Sequence, residues 1–378
     1  MTVTATPIQL LDLAAQHAVI QPELDAALGK VMREAAFIQG ADVEQFAEEL
    51  SRYLGGPHVI PCGNGTDALQ LALMSLRLTP GAEVIVPAFT YVATIETVAI
   101  LGLRPVVVDV RPDTFGLDPV AVAAALTPRT GAVIVAHLFG QCADVEGLLQ
   151  IADIQSIVLI EDNAQSLGAT YTFADGRQMQ AGAVGAVGTT SFFPSKNLGA
   201  FGDGGALFTR DPDRATYLRQ LSNHGQTRKY HHEHIGLNSR LDTLQAALLR
   251  VKLRYLATWT AARQRIAAHY DAALADVAGL HTPARDPRST HVFHQYTLTL
   301  ENEQRRNQLR QHLLSQGVPS AIYYPLPVHL QPAYHYLNYK AGQFPVAEKL
   351  SRSVLSLPMH PMLTNDQVEY IVDIIRRF

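Results

Sequence analysis

Residues 189–209 read TTSFFPSKNLGAFGDGGALFT. A β-prone run over 189–193 stops at Pro194, and a second run spans 206–209. Between them lies one lysine, Lys196, in a loop that also holds Gly199, Gly202, Gly204 and Gly205. So many glycines predict a backbone shaped for close approach. A lysine held between two strands suits burial, a lowered pKa and amine chemistry. Taken alone, the segment reads first as a glycine-rich hairpin with a solvated lysine at its tip, the default for a lysine in a turn. The surrounding chain has to decide between the two.

Upstream, short apolar runs over 58–62, 83–87, 104–109, 132–138 and 156–161 alternate with helical patterns over 66–76, 93–101, 119–126 and 145–152. Val/Ile-rich strands separated by helices predict a mostly parallel sheet covered on both faces, an α/β fold whose ligands bind beyond the carboxyl ends of the strands. Thr66 is the expected N-cap of its helix, and Asp118 followed by Pro119 opens another. Helical patterns also cover 22–35, 43–54 and 213–222, with a long one over 241–274 that leaves the sheet region. A polar, histidine-rich loop spans 224–238. Beyond it, strands are expected over 291–300 and 318–324, a helix over 302–316, an irregular proline-spaced stretch over 323–334, and a last helix over 366–377 opened by a Thr364/Gln367 capping box. The division this implies is a large α/β domain over 1–250 and a smaller α+β domain over 251–378.

Composition narrows the function. A net charge of −4 and the lack of a long Lys/Arg block argue against nucleic acid or a membrane surface as partner. No apolar run reaches the roughly 18 residues of a membrane span, and MTVTATPIQLLDL lacks the basic-then-apolar pattern of a secretion signal. The expectation is a cytoplasmic protein. Cys62 and Cys142 are too few for a disulfide framework and read as buried thiols.

Three groups sit where strands end. Gly63-Asn64-Gly65-Thr66 opens a helix, where free N–H groups and the helix dipole suit a phosphate. Glu161 and Asp162 follow the run IVLI; one is read as a cap or solvated acid, the alternative being an acid paired with a buried cation. Ser191 and Lys196 complete the set. Pyridoxal 5′-phosphate (PLP) uses all three types of group: a lysine for a Schiff base, a carboxylate on the pyridinium nitrogen and a phosphate cup, with an aromatic residue such as Tyr91 over the ring.

GNGTDALQLAL, PAFTYVATIETV, IEDNAQSLGA, SFFPSKNLGAFGDGGAL, NSRLDTLQAALL and YYPLPVHLQPAY, in that order over roughly residues 8–376, resemble the motifs of the DegT/StrS sugar-nucleotide aminotransferases of PLP fold type I. The resemblance implies a mostly parallel seven-stranded sheet between helices. It also implies that Lys196 holds the cofactor and shuttles the proton, Asp162 pairs with the pyridinium nitrogen, and Gln165 bonds the phenolic oxygen. Tyr91 would stack on the ring, and Gly65, Thr66 and Ser191 would bind the phosphate. Members act as homodimers with shared sites, so Asn238 would reach the neighbour's phosphate, while Asp203 and Gly204 support the loop.

SNHGQTRKYHHEHIGLNSRLD and SLPMHP are most similar to enzymes that aminate position 3 of UDP-2-acetamido-2-deoxy-3-oxo-glucuronate with L-glutamate as donor. Arg228, Lys229 and Arg240 suit a diphosphate or a uronate carboxylate, the alternative for Arg228 and Lys229 being a solvated loop. Tyr324 and His329 complete the expected substrate residues. In one place the chain departs from these relatives: Tyr323 stands where they tend to carry a His before Tyr-Pro. His329 would compensate, or the sugar would be a neutral dTDP- or UDP-linked keto-hexose. A PLP-dependent sugar dehydratase is the rival enzyme, disfavoured because such relatives typically replace the lysine. A cofactor-bound regulator is the rival without catalysis. No metal is expected at His231, His232 and His234, since no spaced acid or cysteine accompanies them.

Overall fold

The structure is a computed structural model that describes residues 7–378; the first six residues, which open the stretch without a secretion signal and the 1–250 domain, lie outside the described residues. The apolar runs form a seven-stranded sheet in the order His58–Cys62, Gly205–Thr209, Val187–Ser191, Val158–Asp162, Thr130–Ala136, Glu83–Pro87, Arg104–Val108. Gly205–Thr209 runs antiparallel to both neighbours, and the remaining pairings are parallel. Alternate side chains enter different cores: Val84, Val86, Ile134 and Ile160 one, and Ile85, Val133, Val135 and Leu159 the other. That is why the runs carry no polar break, since neither face meets water. Six strands therefore end at one edge, and the reversed strand begins there. The loop holding Lys196 crosses that edge.

Of the three helix starts expected from a capping side chain, two are as expected and one has a different cap. Asn64, not Thr66, caps the helix Gly65–Ser75: its Oδ1 accepts the Asp67 N–H at 2.8 Å, which leaves Thr66 inside the first turn. Asp118 caps Pro119–Ala125, accepting the Val120 N–H, and the Thr364/Gln367 capping box opens Asn365–Arg376. The long pattern over 241–274 is two helices, Thr243–Leu253 and Leu256–Leu274. Leu248 and Val251, together with Trp259 from beyond the break, pack against Ile20 and Leu24, whereas Ile266, Ala267, Tyr270 and Leu274 join a separate core around Tyr296, Leu298 and Leu355. The 250/251 division thus falls inside the helix that precedes the break.

That second core rests on a three-stranded antiparallel sheet of Leu280–His281, Tyr296–Leu300 and Val354–Leu357. The strand expected over 291–300 begins only at Tyr296. Residues 318–324 form no strand; a single bridge joins Ala321 to Ser356. The third strand, Val354–Leu357, and the helix Pro345–Ser353 before it had no counterpart in the sequence reading. Val328, Tyr334, Ala347 and Leu350 pack on the core of the large sheet, so part of the C-terminal third closes over it. Within the histidine-rich loop, Gln226–Arg228 pairs with His231–His232 as a small hairpin.

Candidate active site

Where the six strands end, the chain leaves a cleft of about 510 Å³, within the range of ligand sites. Gly65 and Thr66 begin the helix after His58–Cys62, and their N–H groups have no acceptor among the described residues, as expected of the first helical turn. This helix start lies tight on the lysine strand pair: a Cβ on Gly65 would lie 2.6 Å from the Ser191 Cβ, and one on Gly205 would lie 2.4 Å from the Asn64 carbonyl oxygen. These glycines therefore serve backbone packing around the anion site more than space for a ligand. Ser191 Oγ accepts the Phe193 N–H at 3.2 Å, which leaves its hydroxyl proton to donate toward the same turn.

Asp162 closes the opposite side. It is buried, and burial raises the pKa of its carboxyl. The Ala164 N–H at 3.1 Å, the positive charge of Lys196 and the Thr94 hydroxyl at 3.2 Å act against that rise. Lys196 lines the cleft, and desolvation lowers the pKa of its amine while the Asp162 charge opposes the change. No salt bridge or hydrogen bond occupies that amine among the described residues. A poorly solvated, unpaired amine across from a buried acid is an arrangement for chemistry rather than for stability.

Gln165 is oriented by a donor with only one possible role. The Phe139 N–H donates to its Oε1 at 2.7 Å, so the Gln165 amide N–H groups face the Tyr324 hydroxyl, 2.9 Å away, and the cleft. Burial raises the Tyr324 phenol well above its ordinary value. Tyr91 stands at the rim, 55% exposed, with its ring 6.0 Å from that of Tyr324.

The cleft thus gathers Gly65, Thr66, Tyr91, Asp162, Gln165, Ser191, Lys196 and Tyr324, with Asp203 beside them. The other expected residues lie elsewhere. His329 is buried, with Nε2 3.2 Å from Glu348 Oε1 and its ring against Phe344, so it does not face the cleft and does not compensate for Tyr323. Arg240 lines a separate depression beside Arg219 and donates to Asn223 Oδ1 at 3.4 Å. Arg228 and Asn238 are exposed and outside the cleft of their own chain. Among the described residues no three His, Cys, Asp or Glu side chains converge on a metal position.

Sequence reading missed His294 and Gln295, which reach the cleft from the segment preceding the second sheet. His294 Nδ1 lies 3.3 Å from Asn197 Oδ1, and burial, together with the charges of Lys196 and Arg263, holds its pKa well below normal. The available signal was the adjacent polar pair His294-Gln295, which interrupts the alternation that a continuous strand over 291–300 would show.

The chain matches the DegT/DnrJ/EryC1/StrS aminotransferase family over residues 19–376. It belongs to that family. A UDP-2-acetamido-2-deoxy-3-oxo-D-glucuronate aminotransferase of Pseudomonas aeruginosa is 45% identical to it, the match covering 96% of this chain and 98% of the relative. A dTDP-3-amino-3,4,6-trideoxy-alpha-D-glucose transaminase of Streptomyces venezuelae is 42% identical, covering 98% and 96%. The crystal structure of ntda from Bacillus subtilis, with bound cofactor PMP, superposes with a TM-score of 0.89 at 29% identity, covering 100% of this chain and 87% of that one. The aminotransferase is a nucleotide-sugar transaminase, and its cofactor is PLP. Its cleft suits that group: free helix N–H groups for a phosphate, a buried carboxylate for a ring nitrogen and an unpaired amine for an aldehyde.

Proposed function

We propose that this aminotransferase moves the amino group of L-glutamate onto carbon 3 of a nucleotide-linked keto sugar, with UDP-2-acetamido-2-deoxy-3-oxo-D-glucuronate as the substrate. The observation that carries the catalytic part is the unpaired Lys196 amine beside buried Asp162. Bound PLP supplies an electron sink for the carbanion that forms when the amino-bearing carbon loses its proton. Lys196 Nζ would hold the cofactor and, as a free amine, would move a proton between the two reacting carbons. Asp162 holds the ring nitrogen protonated. Gly65, Thr66 and Ser191 bind the phosphate, Gln165 donates to the phenolic oxygen, and Tyr91 covers the ring. Donor and acceptor use the same amine in turn, which implies ping-pong kinetics.

The sugar assignment rests on likeness to the Pseudomonas aeruginosa enzyme and on charge. Among the described residues Lys196 is the single Lys or Arg lining the cleft, so a uronate carboxylate finds no other cation there within one chain. A homodimer with shared sites supplies it: Arg240 and Arg228 of a second copy meet the sugar nucleotide, and its Asn238 meets the cofactor phosphate. A neutral dTDP- or UDP-linked keto-hexose is the second reading, favoured by Tyr323 and by the placement of His329 away from the cleft. We place the enzyme in the cytoplasm, where nucleotide sugars are made; no helix among the described residues is long and apolar enough to cross a membrane.

A half-reaction screen decides among these. Aminated nucleotide sugars are mixed with the PLP-loaded enzyme, and loss of the bound-cofactor absorbance is followed. Conversion by the 3-amino uronate, weakened chiefly in apparent affinity by R240A, is the expected result. Conversion by neutral amino sugars alone overturns the uronate assignment. A protein that stays colourless after addition of PLP overturns the catalytic reading.

A further inference from the structure

Glu161, the neighbour of Asp162, has so far no part in the chemistry, yet it is among the most constrained acids in the molecule. Its side chain is fully buried and accepts four hydrogen bonds: from the N–H groups of Gly182 at 2.9 Å, Val184 at 2.8 Å and Gly185 at 2.6 Å, and from His137 Nε2 at 2.8 Å. Burial alone would raise its pKa; the His137 hydrogen bond and the backbone donors outweigh that and hold the carboxyl below its ordinary value. Three of the four donors are backbone N–H groups, which cannot reverse their roles, so the direction of the His137 hydrogen bond alone decides whether Glu161 carries a proton.

The fourth donor is a histidine whose other nitrogen is also committed. The Ala143 N–H donates to His137 Nδ1 at 3.2 Å, so Nδ1 carries a lone pair and the ring proton sits on Nε2, facing Glu161. The ring ties residue 137 to residue 143 and closes the intervening turn. Phe139, inside that turn, has φ +60°, a left-handed conformation that a bulky residue keeps only when its surroundings enforce it. Its N–H is the group that orients Gln165.

We propose that Glu161 and His137 are positioning residues for the cofactor: the buried carboxylate selects the Nε2–H form of His137, and the His137 ring seats the 137–143 turn that aims the Gln165 amide N–H groups into the cleft. The inference rests on the reading that Gln165 donates to the phenolic oxygen of PLP. A donor there favours the anionic oxygen and lowers the pH at which the bound chromophore titrates.

Two measurements separate the steps. In the cofactor-free wild-type protein, nitrogen-15 NMR of labelled histidine at about pH 8 reports which ring nitrogen is protonated; the His137 signals are identified by their loss in H137N. Protonated Nε2 with bare Nδ1 is expected, and a protonated Nδ1 overturns the proposal without reference to the cofactor. The visible absorbance of PLP-loaded protein is then titrated with pH. Q165A is expected to raise the midpoint by about one unit, a tenfold change in proton affinity. E161Q offers one oxygen to four donors and is expected to raise it in the same direction, with no further rise in the E161Q/Q165A double variant. Should E161Q fold poorly, H137L removes the same link, and H137Q, which retains a donor for Glu161, recovers part of the shift. A midpoint moved by Q165A and unmoved by E161Q or H137L overturns the positioning role. A midpoint unmoved by Q165A overturns the Gln165 reading and this proposal together.

Discussion

At the scale of single residues, the site is built on opposed electrostatic demands. Desolvation disfavours the charged forms of both Lys196 and Asp162, while each favours the charged form of the other. Replacing Lys196 by Ala removes the amine and is expected to lower transamination by about 10⁴-fold or more; the check is single-turnover kinetics, together with loss of borohydride-fixed cofactor. Asp162→Asn keeps the shape but not the charge, and the expected fall in kcat is about 10²–10³-fold. Thermal unfolding of the cofactor-free D162N protein should show a higher Tm than wild type, because an acid whose folded pKa is raised costs stability once pH exceeds its unfolded value. An unchanged or lower Tm would show that the Ala164 and Thr94 hydrogen bonds outweigh the buried charge. Asp162 was legible in the sequence as a candidate because it ends an apolar strand, and Lys196 because it is the one lysine in a glycine-rich loop between two strands. His329 was expected at the site and His294 was not: proline spacing marked the segment of His329 as special, but only packing turned its ring to Glu348 and brought His294 to Asn197.

At the scale of elements, the strands of the large sheet and two of the three expected caps were legible, whereas the break in the long helix and the strand Val354–Leu357 were not. Asp118-Pro119 and Thr364/Gln367 are local hydrogen-bond patterns and survive in any fold. The break at Arg254 and Tyr255 separates no core, since Trp259 beyond it packs with Leu248 and Val251 before it, so the apolar pattern runs through it unmarked. Just before that break, Lys252 is buried without a carboxylate partner among the described residues; it donates to the Gly199 carbonyl in the loop of Lys196 and lies 3.2 Å from His17 Nε2. Burial brings its pKa down to about 8. Because the unfolded chain then binds more protons than the folded one between about pH 8 and about pH 10.4, wild-type stability should rise with pH in that window relative to Lys252→Met, by up to about 3 kcal/mol. Urea unfolding of both proteins across the window tests this; parallel curves would mean that Lys252 is not desolvated as the fold implies.

For the whole molecule, the open question is what lies beyond one chain. Asn238 and Arg228 are exposed outside their own cleft, which is why the shared-site homodimer is proposed. Mixing unfolded K196A and N238A chains and refolding them together should restore about a quarter of wild-type activity, since half the dimers are hybrids with one intact site. No restoration would place Asn238 in the same site as its own Lys196 or remove it from the chemistry. The lysine loop with which residues 189–209 began shows where sequence ends and structure takes over. Sequence by itself determined the alternation of apolar strands and helices, the glycine turn at a helix start and the acid and lysine at strand ends, because each is a local pattern of hydrophobicity and hydrogen-bonding capacity. Whether Lys196 is a solvated turn residue or an unpaired amine opposite Asp162 was decided only by tertiary structure. Desolvation and charge proximity arise when residues 34 positions apart are brought to one sheet edge, and no window of sequence contains that distance.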